Sequence, residues 1–385
     1  MRTIGVVTIA RSDYGPYLSV LRKIQEDPDL ELYLIAGGMH FSPEYGMTAE
    51  AIEQDGFNID ERVEFLLSSD TPQGIAKSMG LGTIGFAQAY ARRCPDILLV
   101  LGDRFEMHAA VVAAIPFKLP VAHIAGGEST EGAIDEAMRH SITKMSHLHF
   151  VTTNVYADRV IQMGEEPWRV VVSGAPGLDN IGAFPVMSWE DLKARFGFDL
   201  NRPVLLVTFH PVTLAYENTE YYITELLAAL EEVNFDIVFT YPNADTQGHV
   251  IIEMIEEFAA RHPDSWVATN LGTEAYLSLL SHAAAMVGNS SSGIIEAASF
   301  KLPVVDIGDR QKGRIRGQNV INVGHGREEI RDGIKKAVSG DFRDSLSNLT
   351  NPYGDGQAAE KIVDTLKSVV LDDQMIVKRF HVRNS

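Results

Sequence analysis

The chain has 385 residues, of which 45% are hydrophobic and 22% are charged, and its formal net charge at pH 7 is -19. So acidic a protein is not expected to bind nucleic acid or an anionic membrane surface, because both would repel it. The length exceeds what one hydrophobic core usually organises, so we expect two domains.

The single cysteine, Cys94, excludes an intramolecular disulfide and favours a reducing compartment. The first residues, from Met1 to Val7, are typical of a buried strand and not of a signal peptide. No apolar run approaches the ~18 residues of a membrane helix. These features predict a soluble, cytoplasmic protein.

Strand-like apolar runs alternate with helix-like amphipathic runs along the whole chain, which is typical of a doubly wound α/β protein. In the first half, the predicted strands are Thr3–Ile9, Leu30–Ala36, Leu98–Leu101, Val121–Ile124, Leu148–Thr152 and Val170–Val172. In the second half they are Val204–Thr208, Asp236–Phe239, Trp266–Ala268, Ala284–Val287 and Pro303–Asp306. The pattern predicts two Rossmann-like domains that face each other across a cleft.

Glycine and proline residues between Ser173 and Pro185 indicate the boundary between the two domains. We therefore assign residues 1–175 to the first domain and residues 186–356 to the second. A last helix and a tail occupy residues 357–385, and the helix is expected to return to the first domain.

The run Leu98–Glu106 is typical of a buried parallel strand that ends in a loop and leads into a helix. Ligands of open parallel sheets bind beyond the carboxyl ends of the strands, so Asp103 and Arg104 are expected to lie where a substrate binds. The alternative is structural, with Asp103 serving as the N-cap of the following helix.

Three further carboxylates follow predicted strand ends of the first domain: Glu128, Glu131 and Asp135. Acids gathered at one site raise one another's pKa values, which suits a carboxyl group to proton transfer near neutral pH. Histidines are also frequent here, but one cysteine and no H-E-x-x-H spacing argue against zinc. We therefore predict no metal site and expect packed or hydrogen-bonded histidines.

In the second half, the run Met286–Glu296 passes from a strand through a hydroxyl-rich loop into a helix. Backbone N–H groups and the hydroxyls of Ser290 and Ser291 would form a phosphate site at the helix N-terminus. The alternative is an ordinary helix cap. Glu296, one turn into the helix, would accept hydrogen bonds from ribose hydroxyls or favour the helix N-terminus. Neither a Walker A loop nor a G-x-G-x-x-G fingerprint is present.

Three basic or titratable residues near predicted strand ends would complete a phosphate site. His210 follows the first strand of the second domain and would act as a cation or a general acid, or as a loop histidine. Arg11 follows the first strand of the chain, and its alternative is a surface arginine. Arg310 belongs to the basic loop Asp309–Arg316, which would contribute to the site or remain solvated.

These motifs together resemble the hydrolysing UDP-N-acetylglucosamine 2-epimerases of sialic-acid-type sugar biosynthesis. The resemblance spans nearly the whole chain. It rests on five segments in the expected order: Arg11–Tyr14, Leu101–Glu106, Ile134–Lys144, His210–Thr213 and Gly288–Gly293. The family's fold has two Rossmann-like domains and is shared with many glycosyltransferases of the GT-B type.

The resemblance implies elimination of UDP across C1 and C2 of a UDP-sugar, followed by addition of water with inversion at C2. By position in the motifs, Asp103 and Asp135 would be the acid/base carboxylates, and His210 would assist the leaving diphosphate. The resemblance further implies that Arg11, Ser290 and Ser291 hold phosphate and that Glu296 binds the ribose. It implies no cofactor.

One position departs from the family pattern. Members that act on UDP-N-acetylglucosamine commonly carry a catalytic glutamate where this chain has Ala125. Either Glu128 or Glu131 replaces it, or the task is redistributed, or the substrate differs. Relatives that act on UDP-2,4-diacetamido-2,4,6-trideoxy-glucose, on the legionaminic acid route, are the natural alternative because a second acetamido group needs room.

Three other functions are compatible with the motifs: a non-hydrolysing 2-epimerase, a GT-B glycosyltransferase and a nucleotide-sugar sensor without turnover. The carboxylate cluster has no evident use in a sensor. The expected partner is a UDP-sugar substrate, and the sequence leaves the oligomeric state open, with a homo-oligomer compatible.

Overall fold

The computed structural model describes residues 1–382, and the chain divides into two compact units. The first unit comprises residues 1–128, 135–182 and 353–382. The second unit comprises residues 129–134 and 183–352. This division differs from the expected boundaries in one place: residues 129–134 join the second unit.

The strands are, in chain order, β1 (Arg2–Thr8), β2 (Leu30–Gly37), β3 (Glu61–Val63), β4 (Ile97–Leu101), β5 (Val121–Ile124), β6 (Leu148–Val151), β7 (Val170–Val172), β8 (Val204–Thr208), β9 (Asp236–Thr240), β10 (Ser265–Ala268), β11 (Ala285–Gly288), β12 (Val304–Ile307) and β13 (Val320–Val323).

The helices are α1 (Arg11–Glu26), α2 (Ala49–Gln54), α3 (Pro72–Arg92), α4 (Phe105–Ala114), α5 (Asp135–Met145), α6 (Asn154–Gln162), α7 (Trp189–Phe196), α8 (Thr219–Glu231), α9 (Gly248–Arg261), α10 (Gly272–His282), α11 (Ser291–Ile295), α12 (Arg327–Ala337), α13 (Gly340–Ser345), α14 (Ala358–Ser368) and α15 (Asp373–Ile376).

The first unit is built on a parallel sheet with the strand order β3-β2-β1-β4-β5-β6-β7. The strand order reverses between β1 and β4, and a doubly wound sheet binds its ligands beyond the carboxyl ends of the strands at such a switch point. Residues Ile97–Val100 of β4 are fully buried, as expected for a central parallel strand covered on both faces.

The second unit repeats this arrangement with the parallel order β10-β9-β8-β11-β12-β13. Its switch point lies between β8 and β11. The core of the unit joins residues of these strands, such as Val207 and Val287, to buried faces of α8, α9 and α12. The predicted α/β class with two Rossmann-like domains is therefore confirmed.

The C-terminal helix α14 packs against α1 in the first unit, as expected. Its buried face includes Ile362 and Leu366. The Asp179 carboxylate accepts hydrogen bonds from the backbone N–H groups of Ala358 (3.0 Å) and Ala359 (2.7 Å), and so stabilises the start of the helix.

None of the helices in the described part of the chain combines the length and the apolar character needed to span a bilayer.

Candidate active site

In the first unit, the switch point carries two of the residues that the sequence singles out. Arg11 follows β1 and begins α1, and Asp103 follows β4. Gly102 turns the chain at the end of β4 with a φ of +84°, a conformation that glycine adopts without strain. Its backbone N–H donates to the Ile124 carbonyl at 3.0 Å, which ties the turn to β5.

The Asp103 carboxylate forms an ion pair with Arg139 of α5. The Arg139 side chain is 1% exposed, whereas that of Asp103 is 19% exposed. Glu136 lies 3.6 Å from the same guanidinium. Asp103 is therefore paired with a cation, and a second carboxylate, that of Glu136, lies at the same guanidinium. Asp103 is not the helix cap, because Arg104 occupies the N-cap position of α4.

The loop after β5 directs Glu128 into the first unit. Ala125 has a φ of +64° and Gly127 a φ of +74°, so the chain turns sharply after the strand. Glu128 is 1% exposed and accepts a hydrogen bond from the Thr152 hydroxyl at 3.0 Å. Asp135, the first residue of α5, is also buried in this unit.

Glu131 does not join these acids in the first unit, because residues 129–134 belong to the second unit. Its backbone N–H donates to the Lys312 carbonyl at 3.1 Å, and the Ile134 N–H donates to the Thr213 hydroxyl at 2.9 Å. Gly132 lies so close to the loop after β12 that an added Cβ would be 2.7 Å from the Asp309 carbonyl oxygen. The residue Glu131 itself is exposed.

A buried polar chain supports the turn that carries Arg11. The Asp13 carboxylate accepts from the Thr8 hydroxyl and from the backbone N–H groups of Ile9 (3.1 Å) and Ala10 (3.1 Å). The His40 ring bridges the Thr8 hydroxyl (2.9 Å) and the Thr48 hydroxyl (2.7 Å). Burial raises the pKa of Asp13 to about 7 and lowers that of His40 to about 3.

The raised pKa of Asp13 predicts a specific pH dependence of stability. Between pH 4 and 7 the folded protein holds a proton on Asp13 that the unfolded chain has released, so this contribution to stability is lost as pH rises. We expect the unfolding free energy of the wild type, relative to Asp13→Asn, to fall by about 2 kcal/mol from pH 5 to pH 8. Urea unfolding at several pH values measures this difference, and parallel pH profiles would contradict it.

In the second unit, the switch point brings together the loops that carry His210 and Ser290. Gly288 of β11 pairs with Thr208 of β8. Its φ is +136°, and an added Cβ would lie 1.9 Å from the Thr208 carbonyl oxygen. Only glycine permits this close approach of the two strand ends. The next residue, Asn289, then faces the loop after β8.

Asn289 fixes the position of His210. Its fully buried side chain accepts from the His210 N–H at 2.7 Å and donates to the His210 carbonyl at 2.8 Å. The Asn243 N–H donates to His210 Nδ1 at 3.3 Å. Because Nδ1 accepts this bond, the neutral ring carries its proton on Nε2.

The basic loop of the second unit is joined to the same residue. Gln311 Nε2 lies 2.8 Å from the Asn289 carbonyl oxygen, and Arg310 Nη1 lies 3.4 Å from it. Arg310 is also 3.8 Å from the Asp245 carboxylate. The sequence-predicted residues His210, Ser290 and Arg310 are therefore gathered around Asn289.

Ser290 serves as the N-cap of α11, since its hydroxyl accepts from the Ser292 N–H at 3.4 Å. The helix contains five residues, Ser291–Ile295, so its macrodipole is weaker than that of a full-length helix. Anion binding here would depend on Arg310, the serine hydroxyls and the N–H groups of the first turn. Glu296 is the C-cap of this short helix.

Several histidines of the first unit form hydrogen bonds within the fold. His149 lies 3.0 Å from the buried Glu165 carboxylate, and His147 accepts from the Val121 N–H at 3.1 Å. His123 contacts the Gly102 carbonyl at 2.7 Å. Among residues 1–382, no group of three or more histidine, cysteine, aspartate or glutamate side chains is placed to hold a metal ion.

Comparison with known proteins shows which family model and which relatives the chain matches. The family model described as UDP-N-acetylglucosamine 2-epimerase matches residues 22–367. A Legionella pneumophila protein named UDP-N,N'-diacetylbacillosamine 2-epimerase (hydrolyzing) is 37% identical over 98% of this chain and 99% of its own length. A Campylobacter jejuni protein named GDP/UDP-N,N'-diacetylbacillosamine 2-epimerase (hydrolyzing) is 40% identical over 96% and 97%, respectively.

The fold is similar to that of a Neisseria meningitidis UDP-GlcNAc 2-epimerase solved with UDP-GlcNAc. The TM-score is 0.81 at 19% identity, covering 95% of this chain and 99% of that one. The chain belongs to the family of hydrolysing UDP-N-acetylglucosamine 2-epimerases.

Proposed function

We propose that this protein is a hydrolysing 2-epimerase that converts a UDP-linked 2-acetamido sugar into UDP and the free 2-epimeric sugar. The observation that carries the proposal is the pair of switch points. One holds a cation-paired carboxylate, Asp103, and the other gathers hydrogen-bond donors around Asn289. The names of the two full-length relatives support the same reaction.

The reaction divides into elimination and hydration. In the elimination, a base takes the C2 proton, the C2–H electron pair forms the C1=C2 double bond, and the C1–O pair leaves with UDP. In the hydration, water oxygen bonds to C1 and loses a proton, while C2 receives a proton on the opposite face. We assign Asp103 and Asp135 as acid/base carboxylates. We assign to Glu128 the role of the family's catalytic glutamate, whose position in this chain is occupied by Ala125.

The second-unit residues are proposed to bind UDP. Arg310 and the hydroxyls of Ser290 and Ser291 would contact the diphosphate, and His210 Nε2–H would donate to the departing oxygen. Glu296 is assigned to the ribose hydroxyls, and Arg11 of the first unit to phosphate.

We propose UDP-2,4-diacetamido-2,4,6-trideoxy-glucose as the preferred substrate within this class. Ala125 presents a methyl group where relatives acting on UDP-N-acetylglucosamine carry a carboxylate. This leaves room for a second acetamido group. The names of the Legionella and Campylobacter relatives refer to a sugar of this type.

Product analysis by NMR with both UDP-sugars tests the proposal. We expect free UDP and a free sugar inverted at C2, with a higher kcat/KM for the diacetamido substrate. A product that retains UDP would indicate a non-hydrolysing epimerase. Turnover that requires a sugar acceptor would indicate a glycosyltransferase, and a clear preference for UDP-N-acetylglucosamine would remove the argument from Ala125.

Loss of the two serine hydroxyls is expected to weaken UDP binding. The double variant Ser290→Ala, Ser291→Ala removes two donors to the diphosphate and the cap of α11, so we expect the Kd for UDP to rise about tenfold. Isothermal titration calorimetry measures this value. Ser299→Ala, beyond the same short helix, is the matched control and should leave it unchanged. Equal affinity of the double variant and the wild type would place the diphosphate elsewhere.

We further propose that the enzyme works in the cytoplasm, in agreement with its single, unpaired cysteine, Cys94. No nucleic-acid or membrane partner is proposed for so acidic a chain. A homo-oligomer is compatible with this function.

A further inference from the structure

A closed circuit of contacts surrounds Asp103 in the first unit. The Asp103 carboxylate pairs with the Arg139 guanidinium, and the Arg139 carbonyl accepts from the Thr143 hydroxyl at 3.0 Å. That hydroxyl lies 3.2 Å from His123 Nδ1, and His123 Nε2 lies 2.7 Å from the Gly102 carbonyl. Gly102 is the residue before Asp103, so the circuit holds this aspartate by both its side chain and its backbone.

Arg139 fixes the charge of Asp103. A guanidinium remains protonated at every working pH, so a buried arginine needs an anion beside it. Arg139 is almost fully buried, and Asp103 is the partly exposed member of the pair. The pair therefore presents an ionised carboxylate outward while the cation stays inside the unit.

His123 fixes the backbone at Gly102, the residue before Asp103. Burial lowers its pKa to about 3, so the ring is neutral at working pH. A neutral ring can donate to the Gly102 carbonyl only from Nε2, so Nδ1 is an acceptor for the Thr143 hydroxyl. The single Thr143 proton is then shared between His123 Nδ1 and the Arg139 carbonyl. All three side chains of the circuit are buried, and a displacement of any one reaches Asp103 through the others.

We propose that Arg139, Thr143 and His123 are positioning residues that hold Asp103 as an ionised carboxylate, and that Asp103 therefore takes the C2 proton in the elimination. This assignment rests on the proposed function. The Asp103 oxygen gains the proton, the C2–H pair becomes the C1=C2 bond, and UDP leaves with the C1–O pair. Asp103 then returns its proton to solvent. Inversion requires C2 to be protonated on its other face, so a different group supplies that proton.

Arg139 of α5 pairs with the Asp103 carboxylate. Three further charged or titratable groups are linked to this pair through other residues: Glu136 contacts Arg139, His140 contacts Glu136, and His123 of β5 contacts the Gly102 carbonyl. Of these, Arg139 is the one in direct contact with the carboxylate and the one whose charge favours its ionised form. Arg104, next in the chain, is engaged by Glu106 at 3.1 Å.

Substitutions in the circuit test the assignment. Thr143→Val removes the shared hydroxyl, and we expect kcat to fall about tenfold with KM within threefold, because the base is misplaced. Thr143→Ser should restore the rate. The matched control is Ser146→Ala: the Ser146 hydroxyl is equally buried and donates to the Ile142 carbonyl at 2.8 Å, four residues back, but has no contact with His123.

Arg139→Gln should lower kcat about a hundredfold and move the acid limb of its pH profile upward by at least one unit, whereas Arg139→Lys should keep the limb near that of the wild type. Wild-type rates in Thr143→Val, equal losses in Ser146→Ala, or an unmoved acid limb in a folded Arg139→Gln would overturn the assignment. If Arg139→Gln does not fold, the comparison of Thr143→Val with Thr143→Ser tests the assignment. Absence of UDP release by the wild type would instead overturn the proposed function, and this assignment with it.

Discussion

Asp103→Asn is expected to abolish the release of UDP from the sugar while leaving UDP affinity within a few-fold of the wild type. The asparagine amide has nearly the shape of the carboxylate but cannot accept the C2 proton, so we expect kcat to fall by at least about 10³-fold. Apart from Arg11, the residues assigned to UDP binding lie in the second unit, and the substitution leaves them unchanged. Stopped assays of free UDP give the rate, and calorimetry with UDP gives the affinity.

Glu136→Gln is the matched control for this substitution. Glu136 approaches the same guanidinium at 3.6 Å, but it lies on α5 and does not follow a strand at the switch point. Its loss should change kcat by no more than a few-fold. Because Asp103→Asn removes the Asp103–Arg139 ion pair, thermal unfolding must show that the variant is folded. A folded variant with the wild-type rate would remove Asp103 from the mechanism.

The fold could be predicted from the sequence because its strands are short, apolar and regularly separated by amphipathic helices. β5, β7 and β8 are observed with the predicted bounds, and the other predicted strands differ by one residue at one or both ends. β3 and β13 were not predicted. Both are edge strands with partly exposed residues, so their apolar signal is weak.

Residues of the candidate site that follow strand ends could also be predicted, because parallel strands place their carboxyl ends at one edge of a sheet. Asp103 and His210 are of this kind. The positions of Glu128 and Glu131 could not be told apart in this way. They are three residues apart in the chain, yet Glu128 is buried in the first unit and Glu131 is exposed in the second. The turn between them depends on contacts with distant loops.

The residues that sequence reasoning missed act through partners far away in the chain. Arg139 pairs with Asp103 across 36 positions, and Asn289 bonds to His210 across 79. For Arg139, the available signal was its helical spacing from Asp135, which identifies a shared face but not the aspartate that it meets. For Asn289, the available signal was its position in the sequence, between Gly288 at the end of a strand and Ser290 at the start of a helix.

Glu128→Gln is expected to separate the two halves of the reaction. Glu128 is the buried candidate for the role left open by Ala125, and its orientation is fixed by the Thr152 hydroxyl at 3.0 Å. A glutamine at this position keeps the size of the side chain but cannot supply a proton to C2. UDP should still be released, whereas formation of the hydrated sugar should fall at least about 10²-fold. The unsaturated sugar should then accumulate, and its C1 vinyl proton is visible by NMR.

Glu131→Gln provides the comparison, because both glutamates were candidates for the same task. Glu131 is exposed and its segment is bonded to the second unit, so both half-reactions of Glu131→Gln should stay within a few-fold of the wild type. If Glu131→Gln accumulated the unsaturated sugar and Glu128→Gln did not, the two assignments would be exchanged. If neither variant accumulated it, the proton would come from a group other than these glutamates, and Asp135, buried at the start of α5, would be the carboxylate to substitute next.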